Sequence, residues 1–188
     1  MNTEAFLAIK NQLPELRKHL IDSVRGRVPK SVEYLETAIA NAKLRDDKAA
    51  LYPLILSECS HFKNHDLTVH FLRQQVRDLP EDPLGLTSLA TELAHNQGTH
   101  QEALTLAAKA VALAKKQDRQ VKYSLTCQAR VALEVGDYKV FNDSLRALID
   151  DAGKRRAEDH GFEFDFLDHA DQAKVDQTLV SRYRALAQ

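Results

Sequence analysis

The stretch from Leu86 to Ala114, LTSLATELAHNQGTHQEALTLAAKAVALA, admits few folds. Apolar residues recur at helical spacing on two arms, Leu86, Leu89, Ala90 and Leu93 and then Ala103, Leu106, Ala107, Ala110 and Leu113, with the polar run HNQGTH between them. This pattern predicts two amphipathic helices joined by a tight turn. Gly98 is expected to take the left-handed conformation that ends a helix, and Thr99 with Glu102 three residues later reads as a capping box. One helical hairpin cannot bury its own apolar face, so stacked neighbours are expected.

The rest of the chain supplies them. An apolar stripe at Phe6, Ile9, Leu13, Leu16 and Leu20 predicts a helix interrupted at Pro14, and Pro29 opens a second with Val32, Leu35, Ile39 and Ala42 inward. A third helix, capped by Asp46 or Asp47, runs to about Phe62, and a fourth follows the turn at Asn64 with Leu72, Val76 and Leu79 inward. Asp82 and Pro83 form a cap and first helical residue for the hairpin above. Beyond KKQDRQ comes a further hairpin. One arm spans about Val121 to Val135, Gly136 turns the chain with Asp137 as cap, and the second arm carries Phe141, Leu145 and Leu148.

Aligning the turns at Asn64, Gly98 and Gly136, spaced by 34 and 38 positions, exposes a repeat. Five residues before each turn lie Cys59, Leu93 and Val131, and nine before lie Ile55, Leu89 and Cys127. Ser57, Thr91 and Ala129, and likewise Ser60, Ala94 and Ala132, are small at matching places, which lets helix backbones approach closely. Val69, Ala103 and Phe141 match on the second arm, as do Val76, Ala110 and Leu148.

With this period, and with Glu102-Ala103 and Lys109-Ala110-Val111 in GTHQEALTLAAKAVAL, the chain resembles the tetratricopeptide repeat (TPR) family. The resemblance covers residues 84 to 117 best, then 50 to 83 and 122 to 151, and departs at Thr87, where the family has a bulky residue, and at Phe141, where it has a small one. It implies an all-α, right-handed TPR-like solenoid of about four hairpins. Residues 1 to 45 would form a degenerate N-terminal hairpin, 46 to 151 three repeats, and 152 to 188 an acidic-aromatic segment with a C-terminal capping helix apolar at Val175, Leu179, Tyr183 and Leu186.

The family's concave lining falls on Leu51, Leu54, Glu58, His61 and Phe62, on Gly85, Ser88, Glu92, His95 and Asn96, and on Tyr123, Thr126, Arg130, Leu133 and Glu134. The resemblance implies that this surface binds a protein or an extended or helical peptide, with apolar anchors for affinity and polar groups for selection. Fold analogy alone extends this to holding a partner such as a bacterial toxin, a regulator or a complex subunit. The carboxylate clamp that grips chaperone tails is not expected, because its basic and amide positions hold Leu54, Glu58, Leu89, Tyr123 and Cys127. A second reading is a structural subunit or homo-oligomer whose groove is filled by another copy. RNA binding is the third, but a net charge of -1 offers no broad attraction for phosphate.

No catalytic motif is present: the sequence holds no Gly-rich phosphate loop and no His-Glu-x-x-His helix, so a binding protein without cofactor or metal is expected. His61, His65 and His70 near Cys59 read as helix-end or surface residues. The basic sets Arg17, Lys18, Arg25, Arg27 and Lys30, and Lys154, Arg155 and Arg156, and the acidic set Asp165, Asp168, Asp171 and Asp176, read as solvated surface. In HGFEFDFLDH, Phe162, Phe164 and Phe166 would share one side of an extended strip that docks on the chain's own last hairpin or on a second copy or partner. No run suits a membrane span or a secretory signal, and Cys59 and Cys127 both fall on apolar helix arms, so a cytoplasmic protein with buried free thiols is expected.

Overall fold

The computed structural model describes Lys18 and residues 30–42, 45–61, 63–152, 167 and 174–187. The described residues form eight α-helices and two 3-10 turns, with no strand among them. The helix expected over residues 3 to 25 and the extended strip at 160 to 169 lie outside them, apart from Lys18 and Leu167. The chain divides into two compact units, residues 1–80 and 81–188.

The first unit contains α1 (Lys30–Asn41), α2 (Arg45–His61) and α3 (His65–Asp78). Its core gathers Leu35, Ile39, Leu51, Tyr52, Ile55, Cys59, Phe71 and Leu79. α2 starts before Asp46 and Asp47, so neither is its cap, and Pro53 lies mid-helix on the exposed face, where the hydrogen bond it forfeits costs least. Between α2 and α3 it is Lys63 that takes positive φ, while Asn64 caps α3 by accepting from the Leu67 amide.

One polar cluster ties α2 to α3. The Tyr52 hydroxyl donates to Asp78 Oδ2 at 2.7 Å, and Lys48 Nζ lies 3.0 Å from the same oxygen. Burial, then the bond to Asp78, push the Tyr52 hydroxyl far above its ordinary range. Burial alone would raise Asp78, but its bonds from Tyr52 and Lys48 and the nearby Lys48 and Arg77 charges outweigh this and hold the carboxyl below its ordinary value. A carboxyl lowered on folding adds stability at neutral pH and loses it as acid titrates the folded group.

The second unit is a run of two hairpins and a closing helix: α4 (Pro83–Ala94), α5 (His100–Gln117), α6 (Val121–Val135), α7 (Tyr138–Ala152) and α8 (Gln177–Arg184). α4 packs on α5 and α6, α5 on α6, α6 on α7, and α7 on α8. Val121, Leu125, Ala129, Ala132, Phe141, Leu145 and Leu148 share one core with Val175, Leu179, Val180 and Tyr183 from the C-terminal end and with Leu167, which is fully buried. Leu167 is the described residue of the acidic-aromatic stretch, and Phe162, Phe164 and Phe166 lie outside the described residues.

The two turns differ. As expected, Asp82 caps α4 through the amides of Leu84 and Gly85 with Pro83 in the first turn, Gly136 ends α6 at φ 83°, and Asp137 Oδ1 accepts from the Val140 amide. The α4/α5 turn departs from its pattern. Gly98 does not take positive φ and sits in a 3-10 turn, Gln97–Thr99, with its own amide donating to Asn96 Oδ1. Thr99 makes no side-chain cap; its hydroxyl turns back to the Leu93 and Asn96 carbonyls at 2.6 and 2.9 Å.

The repeat positions also separate by burial. Cys59, Leu93 and Val131, and Ile55, Leu89 and Cys127, are all buried. Of the small positions, Ala94, Ala129 and Ala132 are buried and Thr91 half-buried, but Ser57 and Ser60 face solvent, so in the first unit they do not serve close helix approach.

Candidate helix-face binding site

α4 turns Leu86, Leu89, Ala90 and Leu93 inward, so its opposite stripe, stepping by four, four and three, is Leu84, Ser88, Glu92 and His95. Thr87 and Thr91 donate to the carbonyls one turn back, at Pro83 and Thr87, and so spend their hydroxyls within the helix. α6 buries Leu125, Ala129 and Ala132, which leaves Tyr123, Arg130 and Glu134 along its outer side. The two stripes meet at their C-terminal ends, where His95 Nδ1 lies 3.8 Å from Glu134 Oε1 with both side chains more than half exposed. In water such a pair contributes at most about 1 kcal/mol, and it marks register more than it holds the helices together.

Leu84, 38 % exposed, and Tyr123, 44 % exposed, stand out at the other end. They are the large apolar side chains of this unit's described residues that remain in water. Each lies in the first turn of its helix, Leu84 four residues ahead of Ser88 and Tyr123 seven ahead of Arg130. The face therefore grades from apolar at the helix N-termini to charged at the C-termini.

Of the residues expected to line a groove, Ser88, Glu92, His95, Asn96, Tyr123, Arg130 and Glu134 keep exposed or half-exposed side chains here. Asn96 has already committed its oxygen to the Gly98 amide. Thr126 and Gly85 are buried and take core positions, so an incoming chain meets neither. In the first unit Leu51 is likewise core, and Leu54 is exposed on α2. The side chains of Glu58, His61 and Phe62 lie outside the described residues. Leu84 is the residue the sequence pattern passed over. Its signal was present, since Leu84 stands opposite the Leu86, Leu89, Leu93 stripe immediately after a capped Pro83.

Among the described residues no three His, Cys, Asp or Glu side chains gather in a group that could hold a metal ion. His65 starts α3 rather than continuing α2, and His70 Nε2 pairs with Glu36 Oε1 at 2.9 Å to join α3 to α1. Cys59 and Cys127 are buried and unbridged. No helix among the described residues is long and apolar enough to cross a membrane. No family model, curated protein or solved structure matches the chain.

Proposed function

We propose that this protein is a non-catalytic, cytoplasmic protein- or peptide-binding module, TPR-like in its hairpin stacking, and that the outer face of α4 and α6 is where a partner segment lies. The observation that carries the reading is the pair of water-exposed anchors, Leu84 and Tyr123, at one end of two packed helices whose other end carries His95, Arg130 and Glu134. Aromatic and aliphatic anchors beside a polar rim are what peptide-binding surfaces use for affinity and selection. The packing of α4 on both α5 and α6 supports the TPR-like reading, since first helices of neighbouring hairpins lie side by side in that arrangement. Buried, unbridged cysteines support a reducing compartment.

Selection of random 12-residue peptides against the full chain, followed by titration of the enriched sequence by fluorescence anisotropy, tests this. Tyr123→Ala and Leu84→Ala should each weaken the selected peptide by about tenfold, near 1.4 kcal/mol. Failure to enrich any sequence, or binding that survives both substitutions unchanged, rejects the face as the site.

A further inference from the structure

We draw no further inference here: the strongest candidate, the open cavity of about 340 Å³ among the C-terminal ends of α5 and α7 and the first turns of α6, lined by Lys115, Asp118, Leu125, Ala147, Asp150 and Asp151, is an acidic rim over the edge of the core, and nothing in the structure shows what covers it.

Discussion

In the α4/α5 hairpin side chains reinforce the backbone bonds that reverse the chain, whereas in the α6/α7 hairpin a left-handed glycine carries the reversal. Asn96 and Thr99 bind the Gly98 amide and the Leu93 and Asn96 carbonyls in the first turn. In the second, Gly136 at φ 83° lets the Gly136 and Asp137 amides return to the Leu133 and Ala132 carbonyls, and Asp137 then caps α7. The seams differ in the same sense. α5 offers the small Ala103, Ala107, Ala110 and Ala114 to its neighbours, while α7 fills its seam with the larger Phe141, Leu145 and Leu148. Two neighbouring hairpins in one unit can therefore share helix order and still solve turn and packing with different chemistry.

The largest consequence concerns the α6/α7 seam. Phe141 is fully buried at the place where the first hairpin has Ala103, and Phe141→Ala should cost about 3–5 kcal/mol of unfolding free energy in a denaturant titration. A loss under 1 kcal/mol would mean that Phe141 does not fill the α6/α7 seam and that the contrast is false. Thr99→Asp comes next. An aspartate is a good helix cap, so a capping role predicts no loss, but a carboxylate cannot donate to the two carbonyls that Thr99 serves, and the expected loss is about 1–3 kcal/mol.

The glycines then separate by sign. Gly136→Ala forces a side chain into the left-handed region and should destabilise by about 1–2 kcal/mol even though the space around it is open. At Gly98 an added methyl would meet only Asn96 Oδ1, at 3.4 Å, on backbone that any residue adopts, so Gly98→Ala should leave stability unchanged or raise it by about 0.5 kcal/mol. Thermal melts of the two single variants read both effects, and equal losses would erase the distinction between the turns.

This contrast also marks where sequence stops informing. Helix ends governed by one residue with one job were legible at Asp82 with Pro83 and at Gly136 with Asp137, whereas Asp176, read as solvated surface, caps α8 through the Thr178 and Leu179 amides. The Gly98 turn was not, because a glycine permits positive φ without requiring it, and Thr-x-x-Glu spells a capping box whether or not the hydroxyl has a stronger acceptor nearby. Two carbonyls at Leu93 and Asn96 won that competition. The site shows the same limit. The family resemblance named Tyr123 and Glu134, which are exposed, but carrying its register across hairpins of unequal spacing also named Gly85, which is buried beside exposed Leu84. Thr126, named with them, is buried, since burial on a helix flank depends on neighbours that spacing cannot name.

The claim that the α4/α6 face receives a peptide is most directly tested by amide chemical-shift mapping of the ¹⁵N-labelled full chain titrated with the selected peptide. The shifts should gather at Leu84, Ser88, His95, Tyr123, Arg130 and Glu134. Shifts confined to the outer surfaces of α5 and α7, with these six unmoved at saturation, would contradict it.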